Sequence, residues 1–521
     1  MPLPIDPRLP RDHTSLTDLT ELATLANCDR EPIHIPGAIQ PHGALLGIDA
    51  AGTIRFVSEN SEALLGLPPR QLLGNSITDL LVAESAYELA RRLGQLRGDL
   101  RLCLPLQLAG RRFDTAMHRS GALTLLEIEP AAPRARDELD HETLLQALVR
   151  FQQPRTLAEL AALASEVFRE LTGYDRVMVY RFDPDDNGEV LAEQRRDDLE
   201  SFAGLHYPAT DIPAQARALY LRGRLRMIGD IEYTPVPLIP RADPAGKRPL
   251  DLGVAWLRSV SPIHIEYLRN MGVRATLVLS LVCNGRLWGL ISCHHYSPRL
   301  LPQKDRQRCE AIAQALANQI AAVEQGEALR ARAELQVAQR RLLDAAAAAP
   351  PDQLVQTLVA QGDSLLAAVR ATGAAIALDG HGGHVGAVPG PDILRRLALW
   401  LDSMALRGPY ACSSLAAELP WATELRAVAA GLLALPLTDA GGDYLLWFRP
   451  EVLETVTWGG QPGKELRVEP DGVRLSPRKS FEQWQQIVQL RCEPWGPLEI
   501  ESAVVLQRLA DIAARKRLAC R

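Results

Sequence analysis

The sequence feature that most constrains the fold is the stretch between residues 303 and 349, which contains no proline. Ala, Glu, Gln, Arg and Leu dominate it, and Ile312, Leu316 and Ile320 recur at intervals of one helical turn. This spacing predicts an amphipathic helix roughly 60–70 Å long at about 1.5 Å per residue. A helix of that length outgrows one domain, so we expect it to bridge two domains. Its apolar stripe also suits pairing with a second copy of the chain.

The length of 521 residues predicts about three domains, since one hydrophobic core does not grow much beyond 200 residues. A Pro- and Arg-bearing stretch at 130–136 is a plausible first linker. We place the domains at 1–135, including an irregular N-terminal segment, at 136–325 and at 326–521. The polar, Gly-rich stretch at about 449–484 is too long for an ordinary connection, which predicts a functional extension of the third domain.

Alternating strands and amphipathic helices within these domains predict an α+β fold. In the central domain, Asn284-Gly285 takes the positive φ angles of a tight hairpin between two alternating strands. The predicted helices are 60–65, 141–151, 156–172, 214–222, 302–349, 352–371 and 497–517. The predicted strands are 43–48, 53–58, 122–129, 176–182, 189–193, 275–283, 286–295, 374–378, 431–437 and 444–448.

Composition excludes several classes of protein. The net charge is −6, from 57 basic and 63 acidic residues, so no basic surface argues for nucleic acid. No run of about 20 apolar residues is available to span a bilayer, and no secretory signal is visible. The eight cysteines are scattered singly, which is typical of reduced thiols in a cytosol rather than of a disulfide framework. We therefore expect a cytoplasmic protein with no membrane and no nucleic-acid partner.

Cys28 lies in the polar segment Asn27-Cys28-Asp29-Arg30, whereas buried structural cysteines usually occupy apolar runs. A cysteine in a polar segment near an arginine can ionise and react with an electrophile. The alternative is an exposed thiol without a role, and spacing alone does not exclude it.

Pro208 and Pro213 stiffen the turn that carries Asp211, because each proline fixes its own φ and restricts the preceding residue. Asp211 either contributes to the N-terminus of the next helix or offers its carbonyl and carboxylate to a ligand. Two arginines from separate segments, Arg226 and Arg258, suit the carboxylates of a ligand.

Ser261, His264 and Tyr267 recur at intervals of three, so they share one helical face, which is either a surface or part of a site. The run Cys293-His294-His295 cannot chelate one metal ion, because successive side chains of a strand point to opposite faces. His294 shares its face with Ser292, and one of the two faces should meet the core or a ligand.

Together these segments resemble the bacterial phytochrome family, whose members carry PAS, GAF and PHY domains in that order. The resemblance covers essentially the whole chain. It implies three antiparallel-sheet sensor domains joined by a long helical spine, with a hairpin "tongue" extending from the third. It rests on residues 28–37, 39–43, 208–213, 261–264, 267–273, 288–295, 458–460 and 477–481.

The resemblance implies a covalently bound biliverdin, attached as a thioether at Cys28. Arg226 and Arg258 would pair with its two propionates, assisted by Ser261. The carbonyl of Asp211 and the ring of His264 would meet the pyrrole N–H groups. Met178, Tyr180 and Tyr207 would pack around ring D, and His294 would hydrogen-bond the ring D carbonyl. The positions that complete the implied pocket are Ile212, Tyr220 and Tyr267.

For function, the resemblance implies a red/far-red photoreceptor rather than an enzyme. After ring D isomerises, Ser480 would replace Arg478 as the tongue residue facing Asp211, while the tongue, which begins near Trp458, refolds from strand toward helix. Relatives also pass the N-terminal segment through a loop of the second domain. We expect a homodimer through GAF and PHY helices, and an output kinase or other effector in cis or in trans.

Two hypotheses from other functional classes compete with the photoreceptor hypothesis. Gly441-Gly442-Asp443-Tyr444 resembles the start of a diguanylate cyclase signature, but the apolar strand that follows is wrong for it. A PAS–GAF sensor of a diffusible small ligand is the second alternative, and it does not require Cys28.

Overall fold

The computed structural model describes residues 31–98, 100–108, 110–131, 141–243, 248–438, 441–452, 454–460, 466–469, 472–475 and 483–520. Cys28, Arg478 and Ser480 lie outside the described residues. The chain forms two compact units: Met1–Val323 with Thr457–Trp484, and Glu324–Val456 with Gln485–Arg521.

The elements follow in chain order. The helices are α1 (Ser61–Leu65), α2 (Pro69–Leu72), α3 (Ala83–Leu93), α4 (His141–Phe151), α5 (Leu157–Thr172), α6 (Ala214–Arg222), α7 (Pro262–Asn270), α8 (Gln303–Ala348), α9 (Leu354–Ala360), α10 (Gly362–Ala367), α11 (Pro391–Ser403), α12 (Leu415–Glu418), α13 (Arg426–Ala429), α14 (Pro497–Leu506) and α15 (Arg508–Cys520). The strands are β1 (Ala38–Ile39), β2 (Ala44–Ile48), β3 (Ile54–Ser58), β4 (Leu102–Leu108), β5 (Arg111–Ser120), β6 (Leu123–Pro130), β7 (Arg176–Phe182), β8 (Gly188–Arg195), β9 (His206–Tyr207), β10 (Leu225–Ile228), β11 (Val236–Ile239), β12 (Ala275–Cys283), β13 (Arg286–His295), β14 (Gly373–Leu378), β15 (His381–Gly386), β16 (Tyr410–Cys412), β17 (Gly431–Pro436), β18 (Tyr444–Arg449), β19 (Glu454–Gly459), β20 (Leu466–Glu469), β21 (Gly472–Leu475) and β22 (Gln483–Val488).

The α+β class is confirmed, and so are most of the predicted central elements. The helix α5 begins with a capping box between Thr156 and Glu159 and ends at Gly173 with φ +62°, because these residues satisfy the free backbone groups at its two ends. Asn284 and Gly285 turn the β12–β13 hairpin with φ angles of 51° and 78°. The predicted long helix is α8, a single helix of 46 residues.

The first unit contains an eight-stranded sheet in the order β10-β12-β13-β7-β8-β9-β19-β22. Successive side chains of its strands point to opposite faces of the sheet, so alternate residues lie in two different environments. Val177, Val179 and Ile291 pack into the core that includes residues of α4, α5 and α8. Met178 and Tyr180 belong to a separate cluster on the opposite face. The candidate site lies on that second face.

The first unit also contains a seven-stranded sheet in the order β1-β11-β3-β2-β6-β5-β4 and the two-stranded pair β20-β21. Its strand β11 comes from a chain segment between β10 and α7, and it inserts between β1 and β3. Ile39 pairs with Val236 of β11 and forms a bridge with Arg258. The N-terminal segment is therefore held by the segment 236–258, which is about 200 residues further along the chain.

The second unit contains a five-stranded sheet in the order β15-β14-β18-β17-β16. The prediction of one helix over 352–371 is wrong, since the chain breaks between α9 and α10. A Cβ atom on Gly362 at that break would meet the Val385 side chain at 2.8 Å, so the backbone approaches β15 closely there. The predicted helix 497–517 is likewise two helices, α14 and α15.

Candidate functional site

A cavity of about 280 Å³ opens in the first unit. Strands β7, β10, β12 and β13 contribute to its wall, and so do helices α6 and α7. Glu31 and Ile33 from the N-terminal segment also line it. The first described residue after Cys28 therefore lies three positions from that cysteine and already borders the cavity.

The structure brings together every predicted pocket residue that it describes. They come from five separate stretches of the chain and share this one cavity wall. The residues are Met178, Tyr180, Tyr207, Asp211, Ile212, Tyr220, Arg226, Arg258, Ser261, His264, Tyr267 and His294.

The two arginines lie side by side, since Arg226 donates hydrogen bonds to the carbonyl oxygens of Arg258 and Ser259. Arg258 donates from Nη1 to the carbonyl of Ile33 at 2.7 Å, while its buried Nε has no hydrogen-bond partner among the described residues. Neither guanidinium forms an ion pair with a described carboxylate. Burial and the neighbouring Arg226 lower the pKa of Arg258 well below its usual value. An anionic ligand would relieve both effects.

Ser261, His264 and Tyr267 line the cavity from α7 and its N-cap. Ser261 accepts from the backbone N–H of Ile263 as the cap and donates to Glu31 at 2.7 Å. The rings of His264 and Tyr267 stack with an interplanar angle of 10°. Burial, together with the nearby Arg226 and Arg258, lowers the pKa of His264 to about 4. Its imidazole is therefore neutral near pH 7, and it adds no third cation to the wall.

Asp211 also belongs to the cavity wall rather than to a helix cap. The N-cap of α6 is Pro213, and no side chain caps that helix. Tyr267 donates its hydroxyl to the Asp211 carboxylate at 3.2 Å. Of the two sequence interpretations, the structure supports the one that places Asp211 beside a ligand cavity.

An aromatic region occupies the part of the wall formed by Tyr180 and Tyr207, whose ring centroids are 6.2 Å apart. Both side chains are buried, and burial raises the pKa of Tyr180, with Asp211 contributing. The Tyr180 ring covers Gly188, where a Cβ atom would overlap the phenol oxygen. Only glycine at position 188 leaves room for this placement of the tyrosine.

His294 faces the cavity together with Ser292, at 3.3 Å between Nε2 and Oγ, and Cys293 points into the core. On the other face, Nδ1 of His295 lies 2.9 Å from Oδ2 of Asp175. The predicted division of the run between two strand faces is thus confirmed. Burial lowers the pKa of His294 to about 3, with Arg176 and His264 contributing, so the ring is neutral.

The start of the predicted extension reaches this part of the unit. Trp458 pairs in parallel with His206, and the two rings are 6.1 Å apart. The next residue, Gly459, contacts Tyr207 of the cavity wall. The other two predicted tongue residues, Arg478 and Ser480, are not among the described residues.

Several wall residues were not predicted, although the alternation of the strands places them on the cavity face. Thr276 and Val278 on β12 and Leu290 on β13 lie on the same face as His294. Phe202 has no comparable signal, because it lies in a loop held by Glu193, whose carboxylate accepts from its backbone N–H. These residues make most of the remaining wall apolar.

Two negative findings apply to the described part of the chain. It contains no group of three or more His, Cys, Asp or Glu side chains arranged to hold a metal ion. None of its helices has the length and apolar character that a membrane crossing requires.

Three family models match successive parts of the chain. They are "PAS fold" at residues 28–131, "GAF domain" at 156–323 and "Phytochrome region" at 335–517.

Similar proteins cover nearly the whole chain. A cyanobacterial phytochrome B of Nostoc sp. is 40% identical over 493 residues, which are 93% of this chain and 65% of that protein. A bacteriophytochrome of Xanthomonas campestris is 39% identical over 507 residues, 94% of this chain and 79% of that protein. The chain thus spans about two thirds of the length of the first of these relatives.

Two solved structures resemble this protein closely. A bacteriophytochrome from R. palustris matches with a TM-score of 0.81 at 38% identity, covering 95% of this chain and 99% of that one. The photosensory core module of a Stigmatella aurantiaca phytochrome matches with a TM-score of 0.77 at 39% identity, with the same coverage of both chains.

Proposed function

The chain belongs to the bacterial phytochromes, and from that membership we propose that it is the photosensory module of a red/far-red light receptor that binds biliverdin covalently. One observation carries the proposal: two adjacent guanidinium groups face a largely apolar cavity without a described carboxylate to pair with them. A bilin combines apolar rings with two carboxylate arms, which is the chemistry that such a wall complements.

One set of wall residues would bind the acid arms and the pyrrole nitrogens of the pigment. Arg226 and Arg258 would hold the propionates, and Ser261 would assist. The Asp211 carbonyl would accept from pyrrole N–H groups, and His264 would reach them through a water. Once bound, the bilin would supply light absorption and isomerisation at ring D. The neutral state of His264 fits this role, since the arginines alone balance two carboxylates.

The aromatic region would surround ring D. Met178, Tyr180 and Tyr207 supply its buried side chains. His294 has a buried Nδ1 without a hydrogen-bond partner in the described structure, and it faces the same cavity. A neutral imidazole with an unused nitrogen is suited to a hydrogen bond with the ring D carbonyl.

Cys28 would form the thioether with the side chain of ring A. The support is its position: Glu31 and Ile33 follow it closely and line the cavity. Bacterial phytochromes attach the pigment at a cysteine in this position, which implies the same role for Cys28. Arg478 and Ser480 would exchange at Asp211 when the tongue changes between strand and helix, and Trp458 would anchor the start of the tongue.

We further propose that the domain boundaries lie near 135 and 325 and that the chain pairs with a second copy through its GAF and PHY helices. In the first unit, α4 exposes Leu145 and Val149, at 61% and 57% of their surfaces, which suits such a contact. A kinase or other effector, in cis or in trans, would receive the signal.

The test mixes the pigment-free chain with biliverdin, denatures a portion and looks for zinc-enhanced bilin fluorescence on the gel. We expect a fluorescent band and, in the native sample, reversible absorbance changes under red and far-red light. A sample that stays colourless, or a coloured one that illumination leaves unchanged, contradicts the proposal. A sensor of a diffusible ligand would give the first of these results.

A further inference from the structure

Glu127 connects the seven-stranded sheet to the segment that carries Arg258. Its side chain on β6 is fully buried and does not line the cavity. Its Oε2 accepts from the backbone N–H of Leu257 at 2.6 Å, and its Oε1 lies 3.4 Å from Nδ1 of His118. The contact with Leu257 joins residues 130 positions apart in the chain.

The segment 255–259 presents both arginines to the cavity. Arg258 extends its own side chain into the wall. Arg226 is oriented by the same segment, because it donates to the carbonyl oxygens of residues 255, 258 and 259. The Leu257 amide points to Glu127 while the carbonyls of residues 255, 258 and 259 hold Arg226, so the positions of both guanidinium groups depend on this one segment.

The β1 segment pairs with the same stretch, since Gln40 donates to the Leu257 carbonyl and Ser259 donates to the Ala38 carbonyl. Trp256 is buried between the guanidinium groups of Arg101 and Arg306, at 4.1 Å and 4.7 Å from its ring centre. These contacts leave the backbone amide of Leu257, the residue before Arg258, to Glu127. An unbonded buried amide is costly, so the loss of this acceptor would move the backbone rather than leave it in place.

Resting on the bilin-binding function proposed above, we propose that Glu127 is a positioning residue for the carboxylates of the ligand. By accepting from the Leu257 amide, next to Arg258, it sets the direction in which Arg226 and Arg258 point. A carboxyl group of the seven-stranded sheet thereby determines how tightly the cavity beside the eight-stranded sheet holds the acid arms of the pigment.

The experiment compares two pigments, biliverdin and its dimethyl ester, whose esterified arms cannot pair with arginine. The rate of holoprotein formation is followed by absorbance for each pigment, and the ratio of the two rates is the readout. We expect the wild-type chain to favour biliverdin by about tenfold or more, the size of one or two charge-assisted hydrogen bonds. Arg258→Ala shows how far the ratio falls when one arginine is absent.

Glu127→Ala is expected to lower the ratio by about tenfold, and Glu127→Gln, which keeps one acceptor oxygen and the volume, by less. The control is Glu88→Gln. Glu88 is a carboxylate of α3 that binds Arg91 and Arg92 and not the segment 255–259. Its ratio should equal that of the wild type. Should Glu127→Ala fail to fold, the ratio of Glu127→Gln decides.

The outcomes separate the two proposals. If Glu127 variants assemble more slowly with both pigments to the same extent, the residue is only structural and the positioning role is overturned. If the wild-type chain takes up neither pigment, the proposed function itself fails. If it takes up biliverdin with the expected preference and the Glu127 variants keep that preference, the positioning role alone is wrong.

Discussion

The ring of Tyr207 lies against the backbone of Gly459, so closely that a Cβ atom on Gly459 would be 2.6 Å from the ring. Tyr207 also lines the cavity, and Trp458 pairs with its neighbour His206. The contact therefore joins the cavity wall directly to the start of the tongue. Because the two residues are in direct contact, a movement of the Tyr207 ring would displace the backbone at Gly459.

Gly459→Ala should weaken this contact by roughly 1–3 kcal/mol, the usual cost of an extra methyl group in a packed site. We expect faster amide hydrogen exchange at residues 457–460 and 206–207, and unchanged exchange in α5. The matched control is Gly326→Ala on α8, where an added Cβ meets nothing within 4 Å. Equal exchange in Gly459→Ala and the wild type contradicts a tight contact.

His294→Ala should reduce the extent of photoconversion more than the uptake of biliverdin, because His294 adjoins the proposed ring D end and not the arginines. Absorbance spectra before and after illumination measure the first quantity, and assembly rates measure the second. His295→Ala is the control on the opposite face of β13, where it removes the contact with Asp175. That variant should photoconvert normally. A collapse of uptake in His294→Ala would show that the residue is structural.

Cys28→Ser should abolish the fluorescent band on the denaturing gel while leaving some coloured, non-covalent complex in the native sample. The reason is that the arginines and the apolar wall remain. Cys309→Ser is the control, since Cys309 is buried in the core and burial raises the pKa of its thiol to about 12. A covalent band that survives in Cys28→Ser assigns the attachment to another residue.

The pigment-free chain should lose stability as the pH falls from about 6.5 to about 4, because the folded His264, with its pKa of about 4, resists the protonation that the unfolded chain accepts. The unfolded state then binds more protons, so the free energy of unfolding decreases with falling pH. One such histidine contributes at most about 1.4 kcal/mol per pH unit.

Urea unfolding at several pH values measures this slope, which His264→Gln should reduce. Thr276→Val removes a buried hydroxyl from the same cavity wall without changing a titrating group, and it should keep the wild-type slope. An unchanged slope in His264→Gln would mean that the ring protonates in the folded chain as readily as in the unfolded one.

Local patterns predicted the elements that carry the site. The alternation in β13 placed His294 and Ser292 on one face, and the spacing of Ser261, His264 and Tyr267 placed them on one face of α7. Sequence reasoning missed the break beside Gly362, where the backbone packs closely against Val385 of β15, a contact that no local pattern specifies. It also missed Phe202, whose backbone N–H is held by the Glu193 carboxylate of β8.

What the sequence determined by itself is therefore the set of elements, the directions of their side chains and, through the family's motifs, the residues of the cavity. Hydrophobic periods of two and 3.6 residues encode these features within a few turns of chain. Only the tertiary structure decided that β11 inserts between β1 and β3, and that Glu127 binds the amide of Leu257. Pairings of this kind depend on which distant segments meet, and no local period specifies that choice.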